Sequence, residues 1–126
     1  MKKILIILIC SICFVGCTYK EQRRKADANA LYEQKIKAEK EFASKAYLIA
    51  KSYIKKKINT PPTTEFPFLD YQSTSISPRI VVIRSYFDAQ NSFGAKIRTH
   101  YTIKMEQTGN DWADLSAWEI SDFTMD

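Results

Sequence analysis

Between Lys20 and Ile58 the chain contains neither proline nor glycine, and Ala, Glu, Lys, Gln and Arg dominate the stretch. These residues lose the least freedom on entering a helix, so the segment reads as one long helix or two nearly continuous ones. Its end is equally plain. Asn59-Thr60-Pro61-Pro62 joins a turn-forming side chain to two prolines, and a proline disfavours helix in the residue before it. Lys55, Lys56 and Lys57 fall in the last turn, where cations meet the negative end of the helix dipole.

Hydropathy divides this helix in two. At about 100° per residue, Phe42, Ala43, Ala46, Tyr47, Ile49, Ala50, Tyr53, Ile54 and Ile58 fill one half of the circumference, which must face a core. Ser44, Lys45, Lys51, Ser52, Lys55 and Lys56 fill the other half, with Leu48 the sizeable apolar exception. An aromatic stripe at this spacing reads as packing rather than as a ligand box. Residues 20–41 offer only Leu31, Tyr32 and Ile36 as larger apolar groups, so no continuous core face exists there. Charge is uneven as well: residues 20–58 hold 12 Lys or Arg against 5 Asp or Glu, whereas residues 59–126 hold 5 against 9.

After Pro62 the composition shifts to β-branched and aromatic residues. Phe66 to Tyr71, interrupted by Pro67, is a candidate edge strand. Ile80 to Asp88 is stronger, with Val81, Ile83 and Phe87 on one face and Arg84 on the other. Ala95 to Glu106 alternates Ile97, Thr99, Tyr101, Ile103 and Met105 against Lys96, Arg98, His100, Thr102 and Lys104, the mark of a sheet with one wet face. Thr108 to Asp111 is a turn, and a last strand lies within Ala117 to Met125. Its parity falters near Leu115 and Asp122, which predicts a bulge or a late start. The expected fold class is α+β, a long N-terminal helix packed on a small antiparallel sheet of three to four strands, with residues 42–126 as a single domain. Ile49, Tyr53, Val81, Ile83, Tyr101, Ile103 and Trp118 should share its core.

The N-terminus reads as an address. Lys2 and Lys3 precede an apolar run from Ile4 to Val15, and Gly16-Cys17 follows at once. A run of 12 residues is too short for a spanning helix, which needs about 20, and fits a signal peptide of residues 1–16. The order of charge, apolar run, small residue and cysteine resembles a bacterial lipoprotein signal, carried by Phe14-Val15-Gly16-Cys17, with Phe14 where Leu is more usual. The resemblance implies cleavage before Cys17, a diacylglycerol on its thiol and a fatty acyl group such as palmitate on its amino group. Each buried methylene contributes about 0.8 kcal/mol, so two or three chains anchor a protein firmly to membrane lipid. The plainer alternative is an ordinary secretory signal beside an incidental cysteine. Thr18 stands where many inner-membrane lipoproteins carry Asp, which favours the outer membrane in a Gram-negative host. In a Gram-positive host the same chain would stand on the outer face of the cell membrane.

On this reading the mature chain is residues 17–126, and residues 17–41 are a lipid anchor with a charged helical spacer. Lys20, Arg23, Arg24 and Lys25 would each gain about 1 kcal/mol beside an anionic surface. Equally, they form a soluble face interspersed with Glu21, Asp27, Glu33, Glu39 and Glu41. The net charge falls from +5 to +3 once Lys2 and Lys3 leave. Cys10 and Cys13 leave too, so no internal disulfide can form, and one Cys with one His cannot build a structural zinc site. No metal and no cofactor are expected. Nucleic acid fits poorly, because the C-terminal part lacks a basic aromatic surface; incoming phage DNA would be the exception.

Pro62-Thr63-Thr64-Glu65-Phe66-Pro67, the block Ser85-Tyr86-Phe87-Asp88-Ala89-Gln90-Asn91-Ser92-Phe93-Gly94-Ala95, and Arg98, Tyr101 and Trp118 together resemble a small uncharacterised module of bacterial and prophage-associated proteins, over roughly residues 45–125. Glu65 stands where that module more often has Lys. The resemblance implies no known chemistry and no cofactor. Within the block, Asp and Asn suit a turn, Gly94 permits a positive φ, and Phe93 can tuck under the loop. A structural hairpin explains these residues; so does a recognition loop in which Asp88, Gln90, Asn91 and Arg98, extended along the wet strand by His100 and Lys104, meet a partner. No Ser, Asp or Cys marks His100 as a catalytic base. The expected function is therefore that of a membrane-anchored envelope lipoprotein with a noncatalytic domain that binds an envelope or phage protein, for instance in prophage-encoded exclusion of a competing phage. A structural accessory of an envelope assembly is the alternative, and a hydrolase ranks last.

Overall fold

The computed structural model describes the backbone of residues 2–59 and 61–126 and the side chains of residues 16–59 and 61–126. The order of elements is α1 (Lys2–Lys57), β1 (Gln72–Ser77), β2 (Ile80–Gln90), β3 (Lys96–Gln107), a single 3-10 turn (Leu115–Ala117) and β4 (Trp118–Met125). The chain divides into two units, Met1–Ala38 and Glu39–Asp126. The side chains of the expected leader, Phe14 and Val15 among them, lie outside the described residues. Among the described residues no helix is long and apolar enough to cross a membrane.

In the first unit the side chains from Gly16 to Ala38 are exposed, apart from a half-buried Ile36. Glu21 and Lys25 pair one turn apart at 3.4 Å, and the Arg23 guanidinium lies 5.1 Å over the Tyr19 ring. Such contacts contribute only tenths of a kcal/mol each, on the order of 0.3 for an exposed pair.

The second unit is α+β. Four antiparallel strands form a meander in the order β1-β2-β3-β4, and the helix covers one face. Ala43, Ala46, Tyr47, Ile49, Ala50 and Ile54 bury the predicted half of the helix against Val81, Ile83, Phe87, Tyr101, Ile103, Met105 and Trp118. The β2–β3 register runs without a break from Ile80↔Glu106 to Gln90↔Lys96, so the alternating apolar residues of both strands share one face. The expected irregularity in β4 takes both forms. A 3-10 turn delays the strand to Trp118, and the register slips between Lys104↔Asp122 and Met105↔Ile120, leaving Ser121 as the extra residue.

The helix stops at Lys57, and Asn59 takes φ 45°, the left-handed conformation that terminates helices and that Asn tolerates. Gly109 meets a different demand. A Cβ there would sit 2.6 Å from the Cβ of Ala117, whose carbonyl accepts from both Thr108 N and Gly109 N.

Three expectations change. Phe66 to Tyr71 is not a strand: Pro67 cannot donate to a ladder, and the segment instead crosses the end of the core. There Phe66 rests on Phe87, Tyr71 stacks on Tyr47 at 4.4 Å, and the Tyr47 hydroxyl donates to the Pro67 carbonyl at 2.6 Å. The edge strand is Gln72–Ser77, joined to β2 through Pro78-Arg79. Tyr53 is only half-buried, standing edge-on to Phe123 at the rim, while Tyr47 takes the central place. Phe93 does not tuck under its loop; it is 92% exposed.

Candidate functional site

The β2–β3 hairpin carries all six residues that the sequence singled out. In its upper half the even-numbered residues of both strands point away from the helix, and the register sets Asp88 opposite Arg98 and Tyr86 opposite His100. Arg98 donates from Nε to Asp88 Oδ1 at 2.8 Å and from Nη2 to Oδ2 at 2.9 Å, a two-pronged pair that fixes the guanidinium plane. That plane lies 3.8 Å over the Tyr86 ring, and the His100 ring is 5.8 Å from Tyr86. Tyr86 in turn donates from its hydroxyl to Asp70 Oδ2 at 3.0 Å, while Ser85 Oγ donates to the Asp70 carbonyl at 2.6 Å.

These contacts move the titrations of the paired groups further from neutral pH. The Arg98 hydrogen bonds hold the Asp88 carboxyl below its ordinary range, and Asp88 raises the Arg98 guanidinium further. The hydrogen bond to Asp70 raises the Tyr86 phenol. Lys96 is raised by its 2.7 Å bond to Glu65, which itself pairs with Asp88 through two backbone bonds. The result at neutral pH is a ladder of fixed, compensated charges over an aromatic ring.

The hairpin ends in a turn whose shape is set by Asn91. Its Oδ1 accepts from Phe93 N at 3.0 Å and from Ala95 N at 2.9 Å, its backbone exchanges bonds with Gly94 and Ala95, and Gly94 adopts φ 78°. Asn91 is thus occupied in the turn, while Gln90 is exposed beside it, its backbone N–H directed at Thr63 Oγ1 at 3.4 Å. Residues 92–98 are all exposed, Ile97 included, because the hairpin runs beyond the helix. Phe93 in the turn and Ile97 on the adjoining strand are both exposed apolar residues at this end of the hairpin. Lys104 lies apart from this group, two same-face steps along β3 from His100 and opposite Asp122 of β4.

Below the ladder is an open depression of about 550 Å³, lined by Asp70, Arg84, Tyr86, His100, Thr102 and Asp126 among others. Its charges are mixed. Among the described residues no side chain hydrogen-bonds to the His100 ring, and no group of three His, Cys, Asp or Glu is placed to hold a metal. Cys17, in the other unit, is exposed and unpaired with another thiol.

Sequence reasoning missed Tyr86 and Asp70. Asp70 reaches Tyr86 only through the β1–β2 hairpin, and that hairpin was itself unread. Comparison of the chain with protein-family models, with curated proteins and with solved structures gives no match.

Proposed function

We propose that this chain is a lipid-anchored envelope protein whose folded part binds another protein and performs no chemistry of its own. The observation that carries the reading is the side chain of Phe93, 92% exposed at the tip of a turn held by two bonds to Asn91. A large apolar side chain standing in water on a hydrogen-bonded turn gains free energy when a partner covers it, and aromatic and Arg side chains supply most of the binding energy of protein interfaces. Arg98, aimed by Asp88 and Tyr86, stands on the same hairpin, so an apolar anchor and an oriented cation are presented together. The Arg98 guanidinium loses little freedom on binding, because Asp88 and Tyr86 already orient it.

Cys17 is the proposed attachment point, acylated after removal of residues 1–16, with the surface of the outer or the sole membrane as its location. Exclusion of a competing phage by a prophage-encoded factor is the specific form of the proposal. It agrees with the resemblance of the hairpin block to a prophage-associated module. Cells producing the chain should resist infection by at least one phage of a panel that infects the parent strain. Cys17→Ser should abolish the effect by releasing the protein from the membrane, and Phe93→Ala should abolish it while the protein stays anchored and folded. If production of the chain changes infection by no phage, exclusion is wrong. A growth or envelope defect on deletion that Phe93→Ala reproduces would then favour a structural accessory.

A further inference from the structure

The sheet has two edges, and they are built differently. β4 carries Glu119 and Asp122, and the extra residue Ser121 breaks its line. Charge and a bulge are the devices by which sheet edges avoid pairing with another chain. β1, Gln-Ser-Thr-Ser-Ile-Ser, carries no charge at all, and its residues from Gln72 to Ile76 are exposed. The register slip beyond Ser75 leaves Ile76 as the extra residue, which confines the flat part of the edge to Gln72–Ser75. Ser73 and Ser75 lie on the helix side of the sheet, opposite Ile83 and Val81, yet remain exposed. The helix therefore does not extend over β1. Among the described residues, the backbone pairing of this strand is with β2 alone.

We propose that β1 is a self-association edge, pairing antiparallel with β1 of a second copy to form a continuous eight-stranded sheet. The choice of a second copy rests on charge. Antiparallel pairing of identical edges about a twofold axis brings the charges of one strand alongside the same charges of its copy, so an edge with charges of one sign repels itself. β1 has none to repel, whereas Glu119 and Asp122 make the β4 edge self-repelling. A register centred on Thr74 sets Thr74 against itself and Ser73 against Ser75 of the second copy, within the flat part of the edge. The axis stands perpendicular to the sheet, so both helices lie on one side, where the exposed serines leave room between them. The proposal is independent of the binding role given to Phe93, which lies on the far end of the β2–β3 hairpin.

The full chain, extracted from membranes in mild detergent, should show a protein mass of two copies by light scattering, corrected for detergent. Thr74→Lys and Thr74→Glu should each reduce it to one copy, and an equimolar mixture of the two variants should restore the dimer, because opposite charges then face each other. Each variant should still unfold in one cooperative transition, since Thr74 is exposed; if either does not, Ser73→Lys with Ser75→Lys and Ser73→Glu with Ser75→Glu, which face each other across the axis, take their place. A single-copy mass for the parent chain, dimers that survive both substitutions, or a mixture that stays monomeric would each overturn the proposal. The last two results would place association elsewhere or give the edge to an extended segment of another protein.

Discussion

Ile103 lies at the middle of β3, wholly excluded from solvent, between Ile83 of β2 and Phe123 of β4. Replacing it with Ala tests whether the core is where the account puts it. The carbons lost are worth about 0.8 kcal/mol each in transfer from water, about 2.4 kcal/mol together. The strand cannot shift to close the gap, because neighbours on both sides hold its register. A cavity on the order of 70 Å³ that stays open adds about 1.5 kcal/mol, for a total of about 4. A folded unit the size of Glu39–Asp126 has a stability of about 4 to 13 kcal/mol, so the variant should be severely weakened. Leu48→Ala is the matched control. It lies on the same helix as the core residues but is 44% exposed, and should cost less than about 1 kcal/mol. Guanidinium unfolding of the full chain, followed through the fluorescence of buried Trp118, measures both. A loss at Ile103 below about 1 kcal/mol, or equal to that at Leu48, would refute the packing argument.

Two further effects follow from named groups. The Tyr101 hydroxyl is buried without a hydrogen bond; Ser85 is near enough to offset slightly the rise in pKa that burial causes, but its own hydroxyl is donated to Asp70. Tyr101→Phe should therefore stabilise the fold by about 1 kcal/mol in the same denaturation assay. Because burial raises both Tyr101 and Tyr47 above the ordinary phenol value, the unfolded chain ionises first, so stability should fall as pH rises beyond about 10, and less steeply in Tyr101→Phe. On the acid side Asp88 behaves oppositely. Its depressed folded value gives a contribution fully present above about pH 4 and lost as pH falls through that lower value, an effect that Asp88→Asn should remove. Carbon-detected titration of the Asp88 carboxyl checks the direction.

The parts of the fold that were legible in the sequence are those with one buried face. The helical stripe from Phe42 to Ile58 and the alternation of β2 and β3 follow from periods of 3.6 and 2, and their faces agree with the burial of Tyr47, Ile83 and Ile103. β1 was illegible for the same reason. It is exposed on both faces, so it carries no apolar alternation, and its pairing with β2 rests on backbone groups that any sequence possesses. Phe66 to Tyr71 misled because Phe66 and Tyr71 pack against the core from an irregular segment, while Phe68 between them is exposed. Phe93 misled because a turn residue's exposure depends on how far the hairpin outruns the helix, which no local pattern encodes. At the candidate site, the pairing of Asp88 with Arg98 was recoverable once the hairpin register was known. The buttress of Asp70 beneath Tyr86 was not, because it spans a connection read as the wrong strand.

The most direct test of the account is a photoreactive phenylalanine analogue placed at position 93 in living cells, with Ser52, on the exposed side of the helix, as the comparison site. Irradiation should join position 93 to one protein of discrete mass, position 52 should give no such product, and Cys17→Ser in the position 93 background should eliminate it. Absence of any product at position 93, or equal products at 93 and 52, would contradict the claim that the exposed tip of this hairpin is the surface through which the protein acts.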